Sequence, residues 1–359
     1  MVGADGQLPL PWLDASFHQA RAQGGSHALL IQGPEGVGQF ELALALAQAH
    51  LCESKPPSGR PDMPCGVCPS CRLFFAHTHP DLMVVLPDAM REDLGWRNDD
   101  AAFNEAAVNA ASRAKPSKEI RVDDIRAVIA FAQSTSARGR GKVVVLHQAE
   151  RMNPIASNAL LKTLEEPVGQ TRFVLSSAAP EALLPTVRSR CRAFGLNLPP
   201  EAQSLAWLEA QGVHEPAVLL GACGGRPTEA LAWARLGLGA PTWLQLPNAV
   251  AHGNVDAFMD WPLARVVDAL QKLCHDSLCA AVGVSGRYFP ALSLGNCRDT
   301  SALTAWAAQL RCEARQCEHP WNSALKVEAL VQQAQRALSP SGYSSKTGND
   351  RSAFVHSAS

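Results

Sequence analysis

Residues 33–40 read Gly-Pro-Glu-Gly-Val-Gly-Gln-Phe and follow the apolar run Ala28–Ile31, with Gln32 between them. Their spacing is the frame of a phosphate-binding loop, G-x-x-x-x-G-K-[ST], with the last two positions replaced. The run before the loop is short enough to be a buried strand, and residues 41–51 are mostly strong helix formers. The stretch therefore predicts the strand, loop and helix of a nucleotide-binding α/β domain.

The two residues that carry the chemistry of such a loop are absent. In a working loop the lysine reaches the β- and γ-phosphates and the hydroxyl holds Mg²⁺. Gln39 stands at the lysine position and Phe40 at the hydroxyl position, while the frame glycines remain as Gly33, Gly36 and Gly38. We expect the backbone frame to persist without its catalytic function.

A second catalytic element is lost in parallel. The buried run 143–146 predicts a strand, which in nucleoside triphosphatases ends in an acidic pair for Mg²⁺ and water. Here it ends in His147 and Gln148, and neither can serve that purpose. Ser177 follows the next predicted strand, 172–176, in a sensor-like position. Two matching losses at one site predict a retired active centre.

Length and composition indicate several domains and ordinary globular cores. The chain has 359 residues, 47% of them hydrophobic, with a formal net charge of −1, and a pI of about 6.8. That balance gives no sign of a strongly basic nucleic-acid surface. No apolar run of about 18 residues occurs and the amino terminus lacks a signal-peptide pattern, so we expect a cytoplasmic protein.

Four of the eleven cysteines form a dense cluster, Cys52, Cys65, Cys68 and Cys71. The C-x2-C-x2-C spacing lets thiolates meet one ion across tight turns, and Cys52 at the end of the preceding helix completes a tetrahedron. Free thiols or a redox pair are the alternatives, but the flanks do not resemble a redox strand–helix turn. We predict a structural Zn²⁺ site without an open coordination position.

The remaining pattern is α/β to about residue 198 and helical thereafter. Further strands are predicted at 82–86 and 193–197, an entry helix at 11–27, a helix at 155–166 beginning with Asn153-Pro154, and a loop insertion at 87–118. The basic turn 138–142 either touches phosphate or is a solvated turn. The tryptophans after residue 200 are expected in a helical core, and residues 339–359 have a disordered composition.

Three motifs together resemble a known family. The run Asn158–Pro167 (NALLKTLEEP), the triplet Ser189-Arg190-Cys191 and the cysteine module after the loop helix are similar to those of bacterial DNA polymerase III clamp-loader subunits, which are AAA+ proteins. The degenerate phosphate loop narrows the resemblance to the delta-prime branch. The resemblance covers residues 10–235 and is faint over 240–338.

The resemblance implies an architecture. It consists of an AAA+ domain over 1–198 with a five-stranded parallel sheet and the zinc module at 52–71, a helical lid over 199–240, and an all-α collar over 241–338 that drives oligomerisation. The position of the lid arginine, sensor two, is occupied by Thr228, with Arg226 nearby. This departure fits a subunit that does not respond to its own nucleotide.

The resemblance also implies partners. They are the gamma/tau and delta subunits in a hetero-oligomeric ring, with the sliding clamp and primer-template DNA reached through the complex. The chain would be a non-catalytic part of the DNA polymerase III holoenzyme, a DNA-directed DNA polymerase active in replication, and ATP is not expected in cis.

Arg190 is the expected functional residue, acting as an arginine finger on ATP bound to a neighbouring subunit. Its own loop offers it no substrate, and a guanidinium fits phosphate oxygens bidentately. Arg188 and Arg192 flank it, and a cluster of surface salt bridges is the alternative interpretation.

Two other functions compete with the assembly subunit. An active hydrolase would need another cation near Gln39, and no residue at a defined spacing supplies one. A zinc-dependent DNA-binding repair protein would bind DNA tightly with a steep salt dependence, which the near-neutral charge disfavours.

Overall fold

The computed structural model describes residues 1–23, 26–54, 62–92, 94–96, 116–290, 299–317, 319 and 321–339. The chain divides into two compact units. Unit 1 comprises Met1–Gly212 with Gly225–Ala232, and unit 2 comprises Val213–Gly224 with Trp233–Ser359. The sequence predicts a lid over 199–240 and a collar over 241–338, and these boundaries stay predictions, because the two units do not test them.

Unit 1 is built on one sheet of five strands, all parallel to their neighbours. The strand order is β2-β3-β4-β1-β5. The strands are β1 (Ala28–Gln32), β2 (Leu82–Val85), β3 (Lys142–His147), β4 (Thr171–Ser177) and β5 (Arg192–Gly195). The five-stranded parallel sheet expected from the resemblance is confirmed.

Both faces of the sheet are covered, which explains the continuous apolar runs of its strands. Side chains alternate across a strand, so Val143 and Val145 of β3 join one apolar cluster while Val144 and Leu146 join the other. The first cluster includes the two helices nearest the amino terminus, and the second includes the helices that follow β2 and β3.

The described helices of unit 1 are short to medium in length. They are α1 (Leu13–Ala22), α2 (Gln39–Leu51), α3 (Pro69–Phe75), α4 (Asp88–Arg91), α5 (Val122–Gln133), α6 (Pro154–Glu165), α7 (Pro185–Arg188) and α8 (Glu201–Ala210), with single 3₁₀ turns at Ala149–Arg151 and Pro180–Ala182. Helix α6 begins as its sequence predicts, because the Asn153 side chain accepts a hydrogen bond from the Ala156 amide at 2.9 Å.

Several sequence expectations need correction in detail. The entry helix spans Leu13–Ala22 and not 11–27, and the last strand ends at Gly195 and not at 197. The segment 87–118, expected to be a loop, contains the short helix α4. Its residues 93 and 97–115 lie outside the described residues, as do 340–359 of the tail expected to be disordered.

Helices make up the described part of unit 2. They are α9 (Pro216–Ala222), α11 (Ala240–Ala251), α12 (Leu263–Ala281), α13 (Thr300–Ala314) and α14 (Ser323–Leu338), with a 3₁₀ turn at Asp256–Phe258, while α10 (Pro227–Arg235) contributes residues to both units. No helix among the described residues is long and apolar enough to cross a membrane.

Aromatic side chains form the centre of unit 2, as the sequence predicts. Trp243 is 2% exposed and stacks on Phe289, with ring centroids 4.4 Å apart. Trp233 and Trp306 are also buried. The fully buried Asp276 carboxylate accepts backbone hydrogen bonds from residues 287, 288 and 289 at 2.6–2.9 Å and so fixes the turn after α12.

Candidate functional site

The residues of the predicted phosphate loop lie at the carboxyl edge of the sheet. The loop 33–38 follows β1, whose neighbours are β4 and β5. His147 ends β3 and Ser177 ends β4, and the parallel pairing places His147 beside Ser176 and Gln32 beside Ser177. The topology therefore brings the loop and both expected accessory positions to one edge, where α/β proteins place their ligand sites.

The glycine frame of the loop is required by backbone geometry. Gly36 and Gly38 have φ angles of +83° and +103°, in the left-handed region that favours glycine. Gly33 is constrained by close approach, since a Cβ there would lie 2.2 Å from the Leu196 carbonyl oxygen. The backbone thus requires glycine at all three positions of the predicted loop frame.

Gln39 uses its side chain to hold the loop together. The residue is 6% exposed, and its Nε2 donates to the carbonyl oxygens of Gly33 at 2.8 Å and Pro34 at 2.6 Å. A neutral amide that donates to these carbonyls offers no charge to a phosphate. Gln39 therefore links the first turn of α2 to the start of the loop.

Phe40 and His147 form an aromatic pair where the Mg²⁺ ligands of an active site would lie. Their ring centroids are 4.7 Å apart with an interplanar angle of 37°. Trp96 adds an edge contact to Phe40 at 6.4 Å. His147 Nδ1 lies 2.8 Å from Ser176 Oγ, and burial lowers the pKa of His147 to about 4. The imidazole is therefore neutral at pH 7 and supplies neither a cation nor a carboxylate.

The start of helix α10 packs on the loop from outside. The Thr228 amide donates to the Gly36 carbonyl at 3.3 Å. A Cβ at Gly36 would lie 3.3 Å from the Cβ atoms of both Arg226 and Glu229. Arg226 Nη1 pairs with Glu229 Oε2 at 2.7 Å, so this arginine is ion-paired beside the loop.

Two further contacts hold the loop, and one of them adds negative charge. The Trp12 indole donates to the Val37 carbonyl at 2.8 Å. Gln148 Nε2 donates to the exposed Glu35 carboxylate at 3.3 Å. A carboxylate within a phosphate loop opposes phosphate binding electrostatically. Gln148, which occupies the second position of the expected acidic pair, therefore binds the loop through Glu35.

Ser177 is buried, and its hydroxyl accepts a hydrogen bond from the Ala179 amide at 3.2 Å. Its carbonyl accepts from the Gly33 amide at 3.3 Å. The sensor-like position therefore ties the end of β4 to the start of the loop.

Arg190 lies apart from this edge cluster and is held within its own chain. Its Nη2 is 3.1 Å from Glu165 Oε2, and its Nη1 donates to the Thr186 carbonyl at 3.0 Å. The Arg190 side chain is 29% exposed and that of Glu165 is 58% exposed. The flanking Arg188 and Arg192 are exposed. The Arg190 guanidinium is partly accessible to solvent, and its partner Glu165 is an exposed surface residue.

The four cysteines expected to bind metal meet in one buried cluster. Their sulfur atoms all lie within 4.8 Å of one another. The Sγ of Cys52 lies 3.5 Å from that of Cys65 and 3.9 Å from that of Cys68, and Cys65 lies 4.0 Å from Cys71. Tetrahedral zinc with Zn–S bonds of about 2.3 Å needs sulfurs about 3.8 Å apart.

The backbone around the cysteine cluster favours thiolates. Amides of Cys65, Cys68 and Cys71 donate to the preceding cysteine sulfur at 3.3–3.4 Å. The contact with Cys71 lowers the pKa of Cys52, whereas that contact and burial raise the pKa of Cys71. Four such close thiolates need a bound cation, so the donor set fits a metal ion.

The basic turn after α5 contacts the segment that carries the first cysteine of this cluster. Arg138 Nε donates to Glu53 Oε1 at 2.6 Å, and Arg140 donates to the Cys52 carbonyl. The buried Asp81 carboxylate accepts the backbone amides of residues 137 and 138 at 2.7 and 2.8 Å. The two arginines therefore clamp the segment that carries the first cysteine.

Sequence reasoning located the loop, the strand ends and the cysteines, but it missed their partners. The missed residues are Trp12, Glu35, Trp96, Glu165, Ser176 and Glu229. An aromatic residue at the hydroxyl position is a signal that another apolar group must cover it. The identity of that group depends on strand order and register, which no local pattern contains.

The sheet order and the loop after β1 are those of a nucleotide-binding α/β fold in which Gln39, Phe40, His147 and Gln148 occupy the positions expected to carry catalysis. Residues 13–200 match the family model described as DNA polymerase III, delta subunit. The chain is 38% identical over 226 residues to the DNA polymerase III subunit delta' of Pseudomonas aeruginosa, covering 61% of this chain and 60% of that one. It is 34% identical over 284 residues to the subunit delta' of Escherichia coli, covering 73% of this chain and 76% of that one.

A third relative has a different subunit name. The chain is 34% identical over 170 residues to the DNA polymerase III subunit tau of Escherichia coli, which covers 47% of this chain and 21% of that one. The chain belongs to the family of DNA polymerase III delta-prime subunits.

Proposed function

We propose that this chain is a non-hydrolysing subunit of a DNA polymerase III clamp loader, which helps to load the sliding clamp onto primed DNA during replication. One observation carries the proposal. The side chains at the lysine, hydroxyl and acidic positions, Gln39, Phe40 and His147, contact the loop and one another in a way that replaces nucleotide chemistry with packing. Its family membership supports the same assignment.

In this proposal Arg190 acts in trans on ATP held by a neighbouring subunit. The arginine leaves Glu165 and donates to the γ-phosphate, where it stabilises the charge that develops in the transition state. Breaking the ion pair with Glu165 costs little free energy, because this carboxylate is 58% exposed and an exposed ion pair contributes about 0–1 kcal/mol. Such fingers raise hydrolysis rates by about 10³- to 10⁵-fold.

The proposed partners are gamma/tau ATPase subunits and a delta subunit in one hetero-oligomeric ring. The region 241–338, with helices α11 to α14, would hold this chain in the ring by packing on equivalent helices of its neighbours. A truncation at residue 240 is the direct test, because assembly with undiminished affinity would contradict this role.

The proposed cofactor is one structural Zn²⁺ held by Cys52, Cys65, Cys68 and Cys71. When bound, it neutralises the four thiolates and cross-links the segment after α2 to helix α3. No catalytic role is proposed, since four sulfur ligands leave no open coordination position.

The deciding experiment measures the isolated chain and the reconstituted complex. We expect no ATP hydrolysis by the isolated chain, against turnover of about 1 per second for competent enzymes. Activity that persists in Gly38→Arg would identify a contaminant, whereas activity that this substitution abolishes would support the competing hydrolase. The chain mixed with gamma/tau and delta subunits should form a stable complex by mass measurement.

Arg190 is tested in that complex against a matched arginine. We expect Arg190→Ala to assemble normally and to lose the part of DNA-stimulated ATP hydrolysis that comes from the one site it completes, where the rate should fall about 10³-fold or more. Arg188→Ala removes an exposed arginine two residues away and should have no effect. Equal rates for both variants and the unmodified chain would show that Arg190 is only a surface charge.

A further inference from the structure

Cys52 differs from the other three cysteines of the proposed zinc site in how the chain places it. In the segment 65–71 the amides of Cys68 and Cys71 donate to the sulfur of the preceding cysteine at 3.3 and 3.4 Å, so local turns set these three sulfurs. Cys52 directly follows helix α2 and lies 13 positions before Cys65. Its sulfur can join the others only if the end of α2 is held against this segment.

Two side chains bind the carbonyl groups at this end of α2. The Ser70 hydroxyl donates to the Leu51 carbonyl at 2.8 Å, and Arg140 donates to the Cys52 carbonyl. Carbonyls in the last turn of a helix have no partner within the helix, so both donors satisfy groups that need one. Ser70 adjoins the ligand Cys71 in α3, whereas Arg140 belongs to the basic turn 138–142. The end of α2 is therefore held from two sides.

A buried histidine fixes the direction of the Ser70 hydrogen bond. The Asp81 amide donates to His79 Nδ1 at 3.1 Å, so Nδ1 is the acceptor of a neutral ring and Nε2 carries the proton. His79 Nε2 lies 2.5 Å from Ser70 Oγ and donates to it. The serine hydroxyl keeps its own hydrogen, and the Leu51 carbonyl receives it.

Ser70, His79 and Asp81 are the residue types of a hydrolase triad, but their geometry excludes that role. In a triad the serine donates to the histidine and a carboxylate accepts from the other ring nitrogen. Here the histidine donates to the serine, and the backbone amide of Asp81 meets the ring. Ser70 is 1% exposed and His79 is 4% exposed, which closes the hydroxyl to a substrate. The three residues form a structural chain.

The same aspartate fixes the basic turn from which Arg140 extends. Besides the two backbone amides of this turn, the Asp81 carboxylate accepts the Ser136 hydroxyl at 3.0 Å. Gly141 ends the turn with φ of +82°, and a Cβ there would lie 2.4 Å from the Gln170 carbonyl oxygen. The turn is therefore held against the sheet, and Arg140 reaches α2 from a fixed base.

Charge favours the same arrangement. Four thiolates outweigh one Zn²⁺, so the occupied centre is an anion. A guanidinium is always charged in proteins, and Arg140 lies at the carboxyl end of α2, where the helix dipole adds negative charge. The neighbouring Arg138 pairs with Glu53 at 2.6 Å, which compensates its charge. Arg140 is therefore placed to offset the charge of the centre.

We propose that Ser70 and Arg140 are positioning residues of the metal site, which hold the end of α2 so that Cys52 can supply the fourth thiolate. This inference rests on the zinc site proposed above and goes beyond it, because neither residue is a ligand. Loss of such an outer-shell partner typically weakens metal binding about 10- to 100-fold. The coupling is reciprocal, so a metal that holds Cys52 also holds the basic turn.

The test compares metal affinity and coordination in variants of the full chain. Zn²⁺ affinity is measured by competition with a chelator, and Co²⁺ in place of Zn²⁺ reports the number of thiolates through its sulfur-to-metal absorption. Ser70→Ala should weaken Zn²⁺ binding about 10- to 100-fold, and Arg140→Gln about 10-fold, because Arg140 is exposed. The double variant should lose the Co²⁺ absorption of one thiolate, since Cys52 is no longer held.

Controls separate positioning from stability. Arg126→Gln is the matched arginine variant, because Arg126 is 70% exposed on α5 and pairs with Asp123. Arg140→Lys keeps the charge and a donor, and it should retain more Zn²⁺ affinity than Arg140→Gln. Urea unfolding of the metal-free variants gives their stability, and a purely structural role would change that value without changing the number of thiolates on Co²⁺.

Hydrogen exchange of the unmodified chain needs no variant. Removing the metal should accelerate exchange at the amides of residues 137 and 138, which Asp81 binds. Three results would each overturn the inference: unchanged exchange there, equal Zn²⁺ affinity in Ser70→Ala, Arg140→Gln and Arg126→Gln, or the full absorption of four thiolates in the double variant. An unmodified chain that binds no zinc would instead refute the metal site itself, and the inference with it.

Discussion

The rings of Phe40 and His147 pack with centroids 4.7 Å apart, although 106 positions separate the two residues in the chain. Phe40 lies in the first turn of α2, and His147 is the last residue of β3. Each occupies a position that would bind Mg²⁺ in an active nucleoside triphosphatase. The two positions are thus structurally linked, because the two rings pack against each other.

This pair should show measurable energetic coupling. We expect Phe40→Ala to lower the free energy of unfolding by about 3–5 kcal/mol, since the residue is 6% exposed. A double-mutant cycle with His147→Ala should give a coupling of about 0.5–1.5 kcal/mol. Urea unfolding provides the measurement, and Phe75→Ala, at a phenylalanine 38% exposed, is the control with a smaller loss. Strict additivity of Phe40→Ala and His147→Ala would contradict the interpretation.

Acid should destabilise the fold between pH 6.5 and 4. Burial lowers the pKa of both His147 and His50 from 6.5 to about 4, so the unfolded chain takes up these protons first. Stability is therefore fully present above pH 6.5 and falls as the pH drops to 4, by at most about 1.4 kcal/mol per pH unit for each histidine. Partial exposure of both rings reduces this ceiling.

The histidine contribution can be isolated in a buffer free of phosphate and sulfate. We expect His147→Gln and His50→Gln each to flatten the dependence of unfolding free energy on pH over this range, and the double variant to flatten it further. Slopes identical to that of the unmodified chain would mean that other groups cause the acid sensitivity.

Two neighbouring glycines should respond differently to a methyl group. Gly33→Ala places a Cβ 2.2 Å from the Leu196 carbonyl oxygen, whereas Gly195→Ala meets no atom within 4 Å. We expect Gly33→Ala to destabilise by about 1–3 kcal/mol through overpacking and Gly195→Ala to stay within about 0.5 kcal/mol. Thermal unfolding of both variants checks this, and an equal effect would show that the loop yields freely.

Metal content should be one Zn²⁺ per chain and should fall in acid. Zinc binds thiolates, so protons compete for the four sulfurs as the pH decreases. Cys65→Ser should abolish binding, while Cys312→Ser, at an exposed cysteine outside the cluster, should not. Elemental analysis of protein purified without chelator gives the number of zinc ions per chain. A protein without zinc in that analysis would refute the site.

Zinc loss should act locally. The cluster lies on a segment beside the large core of unit 1, so hydrogen exchange should accelerate over the described residues 62–75 more than over β3 or β4. Uniform acceleration across the sheet would show instead that the metal supports the whole fold.

Local patterns predicted the strands, the cap at Asn153 and the cysteine cluster, because each depends on neighbours in the chain. The apolar run 143–146 needed no tertiary information to be recognised as a buried strand. The edge contact of Trp96 with Phe40 and the ion pair between Arg190 and Glu165 were not predictable in this way. Both depend on where the sheet and its connections bring distant segments.

The tie formed by Gln39 and the covered ring of Phe40 also bear on how such a chain changes over generations. Restoring a lysine at 39 removes two hydrogen bonds to the loop, and restoring a hydroxyl at 40 opens a hole beside His147. We expect each single substitution to lower stability and, on the proposed function, neither to give hydrolysis without an acidic pair. Selection for a stable fold would then be enough to keep both replacements in place.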